Sequence, residues 1–521
     1  DGAFSSDRYY SFTPGDGQCQ PLNPFGTYSA SPEAQNFVTA DQEDALQVEQ
    51  TVIAFTATGA FDVLDFLLDG PIGYAVGAEY REESSNNKLD PLTLGILPAG
   101  TPFIEGALVS TASPWLNSFT SIDNTQQFNT RGSYEVTDVF AEIQLPIFRG
   151  RTFAEDLTVD AAIRLADYST VGDATTWKVG GTWAPTSDLS FRSTYSEAVR
   201  APNITELFDP KLPIFINATE DPCDLTNVGS GPNPSERQAN CISDLQAAGV
   251  PDSAIFDAGG AYAWNNPLTG RFSGVSGGNP NLEVETAETF TLGAVFTPRF
   301  IEGLSITLDY WDISIEDAIS DVDAGDILDG CLDSANYPNL DFCSAFTRRA
   351  DGGLNFLESG QINFARLEAS GYDFAINYAF EIGANGFGIN LVGSKQNELD
   401  RFFNPTDPLD VNPDLEEIQL PEWSGNLTLS WDRGPWQAAL QTTYQSRQFA
   451  AGIQDFDDLG PAGFFDEVYI FDANVNYEFS DSLSFYGGVN NIADEEPFST
   501  QTAWPVGPRG RFFFIGATYT R

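Results

Sequence analysis

The stretch Ala473-Asn474-Val475-Asn476-Tyr477-Glu478-Phe479-Ser480-Asp481-Ser482-Leu483-Ser484-Phe485-Tyr486-Gly487-Gly488-Val489 decides the fold class. Ala473, Val475, Tyr477 and Phe479 alternate with Asn474, Asn476, Glu478 and Ser480, the period of two that puts successive side chains on opposite faces of a strand. Ser480-Asp481-Ser482 makes a tight turn, after which Leu483, Phe485, Gly487 and Val489 resume on one face. A longer loop follows, and Phe513, Ile515, Ala517 and Tyr519 share a face of the closing strand. Short turns at one end, long loops at the other and an aromatic-rich last strand are what a transmembrane antiparallel β-barrel requires.

The same pattern recurs upstream. Tyr74, Val76, Ala78 and Tyr80 follow a turn at Asp69-Gly70-Pro71, with Leu64, Phe66 and Leu68 before it. Trp177, Val179, Gly181 and Trp183 turn at Pro185-Thr186-Ser187-Asp188 into Leu189, Phe191 and Ser193. Leu427, Leu429 and Trp431 turn at Asp432-Arg433-Gly434 into Trp436, Ala438 and Leu440. The count comes to roughly sixteen strands of about ten residues, the length that crosses a bilayer at a tilt. Long polar stretches at 84–131, 201–282, 317–364, 396–421 and 448–466 all fall opposite the short turns. This assigns 51–521 to the barrel and 1–50 to an extracellular loop region. A soluble sandwich keeps its loops short at both ends, and sheet edges left open in lipid are untenable, so the all-β wall is expected to close. Aromatics such as Tyr74, Tyr80, Trp177, Trp183, Tyr310, Trp423, Trp431, Trp436 and Tyr444 crowd strand ends and turns, as interfacial girdles do; ordinary β-propensity is the competing reason.

Composition sets the outer limits. The 521 residues exceed one ordinary globular core. The charge, 24 − 75 = −51, opposes nucleic acid, whose phosphates would be repelled. An acidic soluble protein would not be expected to carry 13% aromatics and 41 Phe. No apolar run reaches about 18 residues, which excludes a helical span, and a mean hydropathy of −0.20 suits a barrel in which only alternate residues face lipid. Met and His are absent, and Asp1 to Gly26 reads as polar loop, so the chain is expected to be a mature protein truncated at its N-terminus. Without His, the usual general base and imidazole ligand are missing, and scattered carboxylates form no acid–base pair, so an enzyme is not expected. Cys223 with Cys241 and Cys331 with Cys343 lack zinc spacing and read as local disulfides in exposed loops of an oxidising compartment; Cys19 is left over.

Tyr195-Ser196-Glu197-Ala198-Val199-Arg200-Ala201-Pro202-Asn203 with Glu206-Leu207-Phe208 resembles the barrel of TonB-dependent outer-membrane receptors. So do Ala75-Val76-Gly77-Ala78-Glu79-Tyr80-Arg81-Glu82, Gly278-Asn279-Pro280-Asn281-Leu282, Asp309-Tyr310-Trp311-Asp312-Ile313, Val489-Asn490-Asn491-Ile492-Ala493-Asp494 and Gly510-Arg511-Phe512, in family order along nearly the whole chain. The resemblance implies a bacterial outer-membrane barrel of twenty-two strands around an N-terminal plug. It also implies uptake of a scarce nutrient, driven by an inner-membrane TonB energy-coupling complex. Plug, coupling segment and first strands are expected upstream of residue 1, along with a partner for Cys19. The closing strand departs from the family in ending Thr520-Arg521, which moves its terminal aromatic back to Tyr519.

Candidate ligand contacts are loop aromatics and polar groups: Trp115, Tyr262, Trp264, Asn265, Asn266, Arg271 and Trp504, all of which could equally be packing residues. Trp and Tyr stacking with Asn and Asp hydrogen bonding suits sugars. A cationic cluster for an anionic iron chelate is not apparent, and the net charge opposes one, which tilts the ligand towards an oligosaccharide over a siderophore. Cofactors are not expected beyond a candidate structural calcium at Asp321, Asp323, Asp326 and Asp329 or at Asp455, Asp457 and Asp458; the first set equally reads as a helix cap. The rival functions are a passive porin of sixteen strands and a surface anchor or adhesin.

Overall fold

The computed structural model describes residues 30–38, 43–62, 68–90, 94, 128–218, 221–231, 233–338, 341–403, 411–453, 456–499 and 504–520. A short helix, α1 (Pro32–Val38), precedes six long strands: β1 (Ala45–Phe61), β2 (Ile72–Lys88), β3 (Thr130–Arg151), β4 (Ala154–Tyr168), β5 (Gly172–Thr186) and β6 (Leu189–Arg200). Two strands, β7 (Leu212–Asn217) and β8 (Arg271–Gly277), belong to the next loop. The wall resumes with β9 (Glu285–Phe296) and β10 (Leu304–Val322), then β12 (Leu354–Ile382) and β13 (Asn385–Phe402), with β11 (Phe346–Arg348) in the loop between. After the two-residue β14 (Asn412–Pro413) come β15 (Trp423–Arg433) and β16 (Trp436–Gln445). The loop pair β17 (Gln448–Phe449) and β18 (Phe464–Phe465) leads to β19 (Val468–Ser480), β20 (Leu483–Asn490) and β21 (Phe512–Tyr519).

The fifteen long wall strands pair antiparallel in chain order from β1 to β21. β1 starts six residues before the barrel boundary expected at 51. Among the described residues no ladder joins β1 to β21, and β1 is exposed on both faces, as an edge strand is. Tight turns connect β3–β4, β5–β6, β12–β13, β15–β16 and β19–β20 on one rim. The opposite rim carries the long connections, with one exception: β4 and β5 are joined by residues 169–171 alone.

Alternation separates the two faces. One continuous row, Leu304, Tyr378, Ile389, Leu429, Leu440, Ala473, Val489 and Phe513, runs across eight strands. None of its members is buried: Leu429 at 40%, Leu440 at 39% and Phe513 at 68% are exposed, and the others are half-buried. A soluble fold would cover such a belt. On β15 the belt lies between Trp423 and Trp431, on β16 between Trp436 and Tyr444, on β19 between Tyr469 and Tyr477. Rings meet across strands at both levels, Trp436–Tyr477 at 4.5 Å and Tyr444–Tyr469 at 4.9 Å. Eight residues of rise cover about 26 Å along a strand, the scale of the apolar band of an outer-membrane barrel. Repetition on three adjacent strands favours girdles over scattered β-propensity.

The other face is polar. Arg192 bridges Asp309 with both arms, at 2.9 and 2.7 Å, over the intervening Gly293. A Cβ on Gly293 would collide with the Asp309 carboxylate, so glycine is what lets the bridge cross a strand. On the neighbouring strands β3 and β4, Arg164 reaches the buried Asp138 directly at 2.5 Å. Strands outrun the bilayer on the loop side: β12 has 29 residues, roughly 95 Å at strand rise, against an apolar band of about 25 Å. Its outer half therefore carries the loops. A bulge between Ile315 and Ala318, with Asp317 at φ 53°, redirects β10 as it leaves the apolar zone.

Candidate functional site

The connections β6–β9 and β10–β12 fold together into one module at the loop rim. The chain leaves β6 through Arg200, which binds Glu285 at 2.5 and 2.6 Å and Glu206 at 3.0 Å. Asn203 caps helix α2 (Ile204–Phe208), and Glu206 closes the capping box. α2 lies on β3, where Gly132 leaves room for the Phe208 ring. These contacts explain the Ala198–Phe208 segment in structural terms: it clamps the base of the loop to the wall.

Above the clamp, helices α3 (Pro234–Ala247), α4 (Asp252–Ile255), α5 (Ala324–Leu332) and α6 (Asp341–Ser344) pack on β7, β8 and β11. β8 joins β12 in parallel, and the module thereby continues the wall sheet. Cys223, Cys241, Leu245, Ile255, Trp264, Phe272, Leu328, Cys331, Leu332, Leu354 and Leu357 form its core. The sulfurs of Cys223–Cys241 and Cys331–Cys343 are bonded, at separations of 18 and 12 residues.

Two buried arginines organise the polar interior. Arg348, 2% exposed, places its fork on Asp221, 0% exposed, at 2.6 and 2.9 Å and also meets Asp244. Arg237 holds the buried Asp333 and reaches Asp329 at 2.8 Å. Burial acts against the charge of Arg348, but the two carboxylates outweigh it and hold the guanidinium above its ordinary value. Burial pushes the Asp329 carboxyl up to about 6, with Arg237 pulling the other way.

The sequence-predicted ligand residues separate by burial. Trp264 is a core residue at 3% exposure, with its ring beside Arg348. Tyr262 donates its hydroxyl to the Cys223 carbonyl at 2.6 Å, and burial raises its pKa. Asn266 donates to the Ala218 carbonyl at 2.9 Å and accepts from the Leu268 N–H at 3.0 Å, both within the module. All three hold the loop together. Asn265 and Arg271 are exposed, Arg271 donating to Asn217 at 3.2 Å. Trp504 belongs to a second loop cluster, where its indole donates to Gln448 at 2.9 Å. There Gln448 and Phe449 are fully buried, Phe449 meets Phe464 at 5.0 Å, and helix α7 (Phe456–Leu459) adds Phe456. Trp115, Asp455 and Cys19 lie outside the described residues, as do the side chains of Asp457 and Asp458. Asp321 is the penultimate residue of β10, Asp323 precedes α5 at its N-cap and Asp326 sits in the first turn. Among the described residues no three His, Cys, Asp or Glu side chains are grouped to hold a metal.

The sequence matches the family model described as TonB dependent receptor-like, beta-barrel, over residues 3–492. The chain belongs to the TonB-dependent receptor family. Among solved structures it is similar to a mutant ferric enterobactin receptor of Pseudomonas aeruginosa in complex with enterobactin, at 14% identity and a TM-score of 0.54, covering 91% of this chain and 54% of that one. It is also similar to the siderophore receptor PirA of Acinetobacter baumannii, at 15% identity and a TM-score of 0.52, covering 91% and 55%. At such identities the likeness is one of fold. This receptor-family chain spans about half the length of those solved receptors. A search of curated proteins finds no match.

Proposed function

We propose that this chain is the barrel of a bacterial outer-membrane receptor that takes up a scarce nutrient, with the inner-membrane TonB energy-coupling complex supplying the drive. The observation that carries the reading is the apolar belt between two aromatic girdles, topped on one rim by folded, disulfide-stapled loops. A passive porin needs no such module, and an anchor needs no polar inner wall.

The ligand is a neutral, hydroxyl-rich molecule, an oligosaccharide before a siderophore-type chelate. Most cations in the loop module are already engaged: Arg200 with Glu285 and Glu206, Lys211 with Glu358, Arg237 with Asp333, Arg348 with Asp221 and Asp244. Arg271, hydrogen-bonded to Asn217, is a single cation among many exposed carboxylates, a balance that disfavours an anionic chelate. Asn265, Arg271 and Trp504 are the contacts proposed from the original set, with Tyr262, Trp264 and Asn266 supporting them from beneath. The test is growth of the source bacterium on single nutrients after deletion of the gene, with and without its TonB complex. Loss of growth on one nutrient in both strains is expected. A steadily open pore in conductance recordings of the full-length protein would point to the porin instead, and unaltered growth on every nutrient to the anchor.

A further inference from the structure

On the lipid face of the wall, the two aromatic girdles give way to opposite chemistry. Toward the loops, the step of two residues past the last ring meets a carboxylate. Tyr80 leads to Glu82 on β2, Tyr195 to Glu197 on β6, Phe290 to Glu288 on β9 and Tyr310 to Asp312 on β10. Toward the turns, the same step meets an apolar side chain or a cation. Tyr74 leads to Ile72 on β2, Phe380 to Ile382 on β12, Trp431 to Arg433 on β15 and Tyr477 to Phe479 on β19.

The loop-side carboxylates are also set against one another. Glu82 stands directly opposite Glu135, and Glu197 opposite Glu288, a destabilising placement for like charges. Among the described residues none of these four has an ion pair with Arg or Lys. Tyr195 donates its hydroxyl to Glu288 and Tyr310 to Asp312, each at 2.7 Å, which ties the carboxylates to the girdle. Two residues of rise are about 7 Å, or about 5 Å along the membrane normal at a strand tilt of about 40°. The headgroup layer on each side of the hydrocarbon is about 5–7 Å deep. The apolar belt and its girdle thus lay these pairs against lipid headgroups, whatever fills the barrel inside.

We infer that the loop-side rim of the lipid face is a surface for headgroups that present positive charge, and that it disfavours a bare anionic leaflet. The repulsion within each opposed pair is relieved when the neighbouring headgroup brings a cationic group. An anionic headgroup adds to that repulsion, because the field that draws basic side chains to an anionic leaflet repels acidic ones. The turn-side rim makes no such demand, so the wall itself tells the two leaflets apart. This selection is separate from uptake and rests only on which face of the sheet meets lipid.

The experiment folds the full-length receptor into vesicles of phosphatidylcholine alone, with added phosphatidylglycerol, or with an added cationic ammonium lipid. Urea unfolding is followed at low ionic strength, where surface charges are least screened. The midpoint should be highest with the ammonium lipid and lowest with phosphatidylglycerol. Glu197→Gln combined with Glu288→Gln should shrink that spread, and so should Glu82→Gln combined with Glu135→Gln. Glu236→Gln with Asp252→Asn removes the same charge from exposed positions in the loop module and should leave the spread as it is. No spread in the wild type overturns the inference. So does an equal reduction in all three double variants, which would assign the effect to net charge alone. Should one rim pair fail to fold, the other decides.

Discussion

Single residues show most clearly where a sequence stops speaking. Trp264 looks like a ligand platform because it is an aromatic among Asn residues in a polar loop, and it lies in a core built by chain about 90 residues away at Leu354 and Leu357. Nothing local distinguishes a stacked sugar from a packed leucine. The Arg348–Asp221–Asp244 cluster was equally silent in the sequence, since its members are 104 and 127 positions apart. Its consequence is testable. Arg348→Ala leaves Asp221 buried and without its cation, and breaking one side of a buried pair costs about 3–5 kcal/mol. Hydrogen exchange on the full-length protein should show α3 and β11 losing protection while β15 and β16 keep theirs. Unchanged exchange at α3 would mean the cluster is not what holds the module.

At the scale of elements, the alternating pattern was legible because membrane strands bury nothing beyond their own face. Turn positions such as Asp432-Arg433-Gly434 fall where the period predicts, with Gly434 at φ 55°. The loops were legible only as polar length. Their helices α3 and α5 are short and fixed by contacts with each other, and the three-residue β4–β5 connection on the loop rim carries no mark that separates it from a turn. Cysteine spacing was the one loop signal that reached beyond its neighbours. Closing a loop of 12 residues stabilises by about 3 kcal/mol through the entropy of the unfolded chain. Serine at both Cys331 and Cys343 should therefore open the α5–α6 connection to protease while leaving the wall resistant. Cleavage no faster than in the wild type would show that the buried Leu328 and Leu332 suffice.

For the whole molecule, the decisive property is which face of the sheet meets lipid. The girdles on β15, β16 and β19 place Leu440 near mid-belt, between Leu429 and Ala473, whereas its neighbour Gln441 lies on the inner face opposite Thr428 and Asp472. One strand position apart, the same substitution should have opposite outcomes. Leu440→Arg puts a cation in hydrocarbon and should cost about 2–4 kcal/mol; Gln441→Arg adds a charge to a polar lumen beside Asp472 and should cost little. Urea unfolding of the full-length receptor in lipid vesicles measures both. Equal losses, or a larger loss for Gln441→Arg, would turn the sheet inside out and remove the physical basis for reading it as a membrane wall.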